Sequence, residues 1–142
     1  MEDNRKTMAV LGVPDAKPSR TLDTIPFQQR VDALAQNVFQ VHFHCSEFTC
    51  RCPVTHQPDW ATIDIDYTPY RLLIESKSMK LYLETWREVG IFHEHLAQHI
   101  LDDIVEQIEP FTCTVTVNFN TRGGIAIDAT ASYYEYGENK QL

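Results

Sequence analysis

No apolar run in this 142-residue chain approaches the length of a membrane-spanning helix, which excludes a helical membrane span. The stretch Met1 to Arg20 carries charges and prolines but no apolar h-region. That is not the pattern of a secretory signal, so a cytoplasmic location is the expectation. Basic residues are scarce: 12 Lys and Arg stand against 20 Asp and Glu, for a net charge of −8. Affinity for a nucleic-acid backbone comes largely from Lys and Arg neutralising phosphates, so a direct nucleic-acid partner is not expected. A small anionic ligand needs only a local cluster, such as Lys77, Lys80 and Arg87. The four cysteines are irregularly spaced, which argues for reduced or reactive thiols rather than a disulfide framework. Repeats and low-complexity tracts are absent as well.

What remains is an ordinary globular composition, 43% apolar and 23% charged, in a chain long enough to bury one core without staples. Residues 1–24 are rich in Pro, Thr and charge and are expected to form an arm; residues 25–142 are expected to form a single domain. Residues 38–45 alternate, with apolar side chains at 39, 41, 43 and 45, and predict a half-buried strand. A loop with two prolines follows over 46–60. Alternation returns at 61–67 through Ile63, Ile65 and Tyr67. Pro69 ends or bends that strand, and 70–74 make a short one. Helices are predicted over 77–89 and 94–109. In the second, Leu96, Ile100, Ile104 and Ile108 recur every four residues and Pro110 stops the run. Residues 111–120 give the cleanest strand, and Thr121-Arg122-Gly123-Gly124 turns it into a last strand over 125–132. The order β-β-α-α-β-β argues an α+β fold, an antiparallel sheet with two helices on one face. A small sheet with free edges often pairs those edges across subunits.

Two of the thiols, Cys45 and Cys113, fall on apolar strand faces and read as small core hydrophobes. Cys50 and Cys52 fall in the loop. Arg51 beside Cys52 could lower its pKa, and the thiolate is the nucleophilic form; a loop thiol half covered by packing fits the same spacing.

Four motifs in order sharpen this: Cys52-Pro53-Val54-Thr55-His56-Gln57-Pro58-Asp59, then Glu75-Ser76-Lys77-Ser78-Met79-Lys80-Leu81-Tyr82, then Phe92-His93-Glu94, then Arg122-Gly123-Gly124-Ile125. From about residue 24 to 137 the chain resembles the QueF family, NADPH-dependent 7-cyano-7-deazaguanine reductases of the short single-module type. The resemblance implies the tunnelling fold (T-fold). It implies reduction of a nitrile to an aminomethyl group through a covalent thioimide, in the biosynthesis of the modified tRNA base queuosine. On this resemblance Cys52 is the nucleophile, Asp59 supplies the proton to the nitrile nitrogen, and His93 sits beside them. Ile74 (through its backbone), Glu75, Ser76, His93 and Glu94 contact the substrate, because a carboxylate accepts both adjacent N–H groups of a guanine-type edge. Lys77, Ser78 and Lys80 hold the phosphates of NADPH at a helix start, where backbone N–H groups and the dipole favour anions, and Arg122 touches the cofactor or a neighbouring subunit. The family assembles as rings with sites between subunits, often two stacked pentamers.

The chain departs from the family pattern at four places. His56 stands where Gly is usual, Trp60 where Phe is usual, and Cys50 and Arg51 replace small or apolar residues. A His tolerates positive φ less readily than Gly. His93, His95 and His99 near a helix start, with Cys50 and Cys52, superficially resemble zinc ligands; a metal there would consume the thiolate, and none is expected. Two other readings stay open. One is a QueF-like amidinotransferase of archaeosine synthesis, which keeps the Cys and Asp, loses the Glu-Ser-Lys-Ser segment and acts on tRNA-borne nitrile. The other is a binding module or zinc-dependent hydrolase on the same fold. The intact Lys77, Ser78 and Lys80 and the acidic charge point away from the transferase.

Overall fold

The computed structural model describes residue 9 and residues 12–28 and 39–135. Val38, where the first strand is predicted to begin, lies outside the described residues, as does most of the first half of the expected arm. In chain order the elements are β1 (Thr24–Pro26), β2 (Val41–Arg51), β3 (Pro58–Thr68), β4 (Leu72–Ile74), α1 (Ser76–Glu84), α2 (His93–Ile108), β5 (Thr112–Arg122) and β6 (Ile125–Tyr134). A four-stranded antiparallel sheet has the order β2-β3-β5-β6, and β1 pairs with β4 in a separate two-stranded ribbon. The expected α+β order is therefore present, with β1 added at the boundary between the expected arm and the domain.

Alternation sorts the two faces of the sheet. Ala61, Ile63, Ile65 and Tyr67 of β3 and Cys113, Val115, Val117 and Phe119 of β5 are buried together with Leu96, Ile100, Ile104 and Ile108 of α2. Helix and sheet patterns thus close one core, the helix contributing its four-residue stripe and each strand every second residue. Cys113 lies in this core as predicted, whereas Cys45 is only half-buried at its edge. The opposite face carries Thr, Asp, His and Ser, with hydroxyls paired across strands at Thr114–Ser132 (3.1 Å) and Thr116–Thr130 (3.2 Å).

Strand β2 is longer than predicted because its alternation changes phase. Cys45 pairs with Ile63, but Phe48 pairs with Ala61, so three steps on β2 match two on β3, a β-bulge. Odd positions 41, 43 and 45 face inward before the bulge, and Phe48 and Cys50 after it. The predicted loop over 46–60 shrinks to the few residues between β2 and β3, and Cys50, Arg51 and Asp59 become strand residues. The first helix is also shorter than predicted, since residues 85–88 are turns. The second ends on Glu109 in the left-handed region (φ 44°) just before Pro110.

The stretch before β1 is tied to the helices. Leu22 and Asp23 are buried, and their backbone N–H groups donate to the Gln107 side chain (2.8 Å) and the Ser78 hydroxyl (2.7 Å). The Arg20 guanidinium lies 3.5 Å over the Trp86 ring. Tyr82, fully buried on α1, donates its hydroxyl to Asp103 of α2 at 2.5 Å, and burial raises its pKa well above the usual phenol range. This bond joins the two helices. Tyr82→Phe is expected to lower unfolding free energy by about 1.5–3 kcal/mol, the range for a hydrogen bond to a charged group, measured by urea denaturation; an unchanged midpoint would remove the bond from the helix clasp.

Candidate active site

Cys52 opens the short connection between β2 and β3. Its carbonyl accepts from the His56 N–H (3.0 Å) and its N–H donates to the Gln57 carbonyl (2.9 Å), closing a tight loop. His56 takes φ 58° there, so this chain places a His in the left-handed backbone that Gly adopts more readily. A second strut comes from residues 85–91. Arg51 donates its N–H to Val89 (2.9 Å) and accepts at its carbonyl from Ile91 (3.0 Å), while its guanidinium pairs with Glu88 (3.1 Å). Between them Gly90 passes so close that a Cβ would stand 3.0 Å from the Pro53 Cα; glycine is what lets the two loops touch beside Cys52.

The environments of the two neighbouring thiols differ sharply. Cys52 is partly exposed, and its pKa is lowered, first by the Thr55 hydroxyl and then by the backbone N–H groups of Thr55 and Val54, which stabilise the thiolate. Partial burial and the charge of Asp59 oppose this without reversing it. Cys50 is completely buried, and burial, with Asp59 and Cys52 adding repulsion, pushes its thiol up to about 11. All four cysteines are free. Arg51, the residue expected to activate Cys52, instead engages Glu88 and the His56 carbonyl (3.3 Å); the activation comes from Thr55 and the loop backbone.

Asp59 pairs with Cys50 across the ladder and points to the core side of β3. Only 2% of it is exposed, and its carboxylate accepts from Arg122 on one oxygen and lies 3.0 Å from His93 Nε2 on the other. The predicted loop acid is therefore a buried, paired carboxylate. His93 is in turn stacked on Phe119, centroids 3.6 Å apart and 7° from parallel. Arg122 reaches the group because the register of β5 slips between Phe119 and Arg122. Gly123 (φ 58°) and Gly124 (φ 77°) then make the two-residue hairpin, a turn that needs positive φ at both positions. Asp59, His93, Phe119 and Arg122 line a cavity of about 220 Å³.

The Glu75 segment forms a second group. Glu75 is buried and is the N-cap of α1: its carboxylate accepts from the N–H groups of Lys77 (3.0 Å) and Ser78 (2.9 Å) and lies 3.3 Å from the Ser76 hydroxyl. Ile74 donates its N–H to the Tyr67 hydroxyl (3.0 Å). Lys77 donates to the Val13 carbonyl (2.8 Å). Ser78 is 1% exposed with its hydroxyl on Asp23. It anchors the helix start from below. Ser76 and Lys80, with Arg87, line a cavity of about 380 Å³ whose apolar wall is Phe43, Phe48, Met79 and Leu83. Glu94 is exposed in the first turn of α2. The sequence reading missed Phe119 and Thr55; the Thr in the Cys-Pro-Val-Thr run was the only signal for the latter.

A family model described as QueF-like protein matches residues 58–138. The chain is 56% identical over 123 residues to the NADPH-dependent 7-cyano-7-deazaguanine reductase of Frankia casuarinae, covering 87% of this chain and 93% of the relative. It is 45% identical over 126 residues to the reductase of the same name from Syntrophus aciditrophicus, covering 89% and 86%. Among solved structures, the archaeosine synthase QueF-Like in the apo form superposes with a TM-score of 0.63 at 20% identity, covering 69% of this chain and 96% of that one, a likeness of fold.

Iodoacetamide at neutral pH is expected to label Cys52 far ahead of Cys50 and Cys113, read by peptide mass mapping. Cys113 is buried and pushed up to about 12. The pH midpoint of Cys52 alkylation should fall below that of a free thiol, and Thr55→Val should move it upward. A midpoint indifferent to Thr55 would refute the hydrogen-bond account.

Proposed function

The chain belongs to the QueF family, and from that premise we propose that it reduces 7-cyano-7-deazaguanine to 7-aminomethyl-7-deazaguanine with NADPH, serving queuosine biosynthesis. The observation that carries the reading is the pairing of one activated, partly exposed thiol, Cys52, with a buried carboxylate–imidazole pair, Asp59 and His93, at the same end of the sheet. A nitrile is a poor hydride acceptor. Attack by the Cys52 thiolate forms a C–S bond at the nitrile carbon while the nitrogen gains a proton, giving a thioimide. Both oxygens of Asp59 are engaged, so the proton it hands to the nitrogen is one shared with His93. Arg122 then holds the carboxylate charge left behind. Cys50, kept as a neutral thiol by burial, cannot compete for the substrate.

Bound NADPH supplies the hydride, and two are needed to bring a nitrile to an amine. The cavity beside α1 suits such a cofactor: Lys80 and Arg87 are cations for its phosphates, and Phe43, Phe48, Met79 and Leu83 offer an apolar wall. Lys77 joins them if its bond to Val13 is exchanged for one to phosphate. For the deazaguanine edge, Glu94 is an exposed acceptor and Ser76 a hydroxyl beside the capping Glu75. Glu75 itself keeps lone-pair positions for one further donor, since an ionised carboxylate has about four.

The two cavities are lined by different residues, which supports a site completed by a neighbouring copy, in a ring or a stacked pair of rings. Strands β2 and β6 end the sheet and leave edges for such pairing. No described helix is long and apolar enough to cross a membrane, consistent with work on a free small molecule in the cytoplasm. Residues 25–142 are the proposed catalytic domain.

Intact-protein mass after incubation with the nitrile, without and then with NADPH, tests the reading. The expected result is a gain of one substrate mass that NADPH removes with release of amine, and no gain in Cys52→Ala. An adduct that persists with NADPH would move the answer to the amidinotransferase, and turnover by Cys52→Ala would sink the nucleophile. Asp59→Asn should lower kcat by roughly 10²–10⁴-fold, the range for general acid catalysis, with little change in KM. A change confined to KM would make Asp59 a binding group only.

A further inference from the structure

The polar face of the sheet, opposite α1 and α2, carries a cluster that the nitrile chemistry leaves unused. His42 and His44 project from β2, and Asp66 and Asp64 are their direct partners on β3. His42 Nδ1 lies 2.7 Å from Asp66 Oδ1, His42 Nε2 lies 3.3 Å from Asp64 Oδ1, and His44 Nδ1 lies 2.6 Å from the same Asp64 oxygen. One donor atom from each of His42, His44 and Asp64 falls within 4.8 Å of the others.

Ordinary cross-strand pairing accounts for His42–Asp66 and His44–Asp64. The second nitrogen of His42 also faces Asp64, 3.3 Å from the same carboxylate oxygen. With Nδ1 donating to Asp66, Nε2 is a ligand atom for a cation held between His42 and Asp64. Ligand atoms at the usual zinc distance, in tetrahedral geometry, stand about 3.3 Å apart; His42 Nε2 and Asp64 already have that spacing, while His44 Nδ1, 2.6 Å from Asp64, exchanges its hydrogen bond for the metal. The second contact of His42 is also what a metal-bound histidine requires. A carboxylate on the far ring nitrogen fixes the tautomer and raises the basicity of the ligating one, and Asp66 occupies that position. Both rings are about half exposed, so an ion has access from solvent and water can fill the open coordination position.

We propose that His42, His44 and Asp64 bind one divalent transition-metal ion of the zinc, nickel or cobalt class, with Asp66 orienting His42. Two imidazoles and one carboxylate suit these ions, whereas magnesium and calcium favour all-oxygen sets. The site is separate from His93, His95 and His99 and uses no cysteine, so it leaves the Cys52 thiolate free. It does not depend on the proposed reductase chemistry.

The test is calorimetric titration of ZnCl₂ into tag-free full-length protein stripped with a chelator, with circular dichroism to verify that each variant is folded. Wild type is expected to take up one saturable equivalent that excess MgCl₂ does not displace. Asp66→Asn should weaken binding by roughly 10–100-fold, the cost of losing an orienting partner, and His42→Ala and His44→Ala should weaken it further. Cys52→Ala should bind as wild type does. The proposal is overturned by the absence of a saturable equivalent in wild type, by its persistence in the His42→Ala/His44→Ala double variant, by its loss in Cys52→Ala, or by displacement with magnesium.

Discussion

A carboxylate that is 2% exposed has to be paired, because leaving an ionised group alone in the protein interior costs several kcal/mol. That requirement organises one end of this molecule. Asp59 belongs to β3, Arg122 to the end of β5, and His93 to the first turn of α2. The buried charge therefore fixes where three separate elements meet. Phe119 stacked on His93 holds the imidazole flat against the sheet, so it cannot turn away from Asp59. Breaking the group would leave either a buried unpaired acid or a helix start without its anchor.

The two neighbouring thiols differ through a contrast set up within a few residues. Cys52 lies past the end of β2, where loop N–H groups and the Thr55 hydroxyl favour its anion. Cys50 lies under the sheet, where nothing does. Two thiols two residues apart in one strand direction share a face of the ladder, yet only one escapes the core, because the strand ends at Arg51 and the chain turns. The negative charge of Asp59 is close enough to oppose both ionisations. Its pairing with the Arg122 guanidinium is thus part of what makes a nearby thiolate tolerable.

Elements whose pattern is uninterrupted were legible from residues alone. The four-residue stripe of α2 and the alternation of β5 each point one way, and both form where the pattern says. Legibility failed where the pattern changes phase or where partners are far apart in sequence. The bulge between Cys45 and Phe48 made the second half of β2 look like loop. Residues Thr24–Pro26 are strand only because β4 lies alongside; alone they carry no periodicity. Glu75 is an uncommon helix cap, and its buried capping role was masked by an expected ligand role. The Cys52–Asp59 spacing drew attention to this carboxylate, but its partners Arg122 and His93 are brought to it by sheet register and helix docking, which no local spacing reports.

The bulge has a bearing on which changes in chain length the fold could survive. Side chains beyond it are sorted in or out by a count that starts at Cys45. Removing one residue from Ser46-Glu47 would leave two steps on β2 facing two on β3, so Phe48 and Cys50 would stay inward in simple alternation. What would go is the bend and added twist that a bulge gives a strand, just upstream of the turn that presents Cys52. A single-codon deletion there keeps the core side of the strand and alters its aim, whereas most substitutions in that exposed pair change neither.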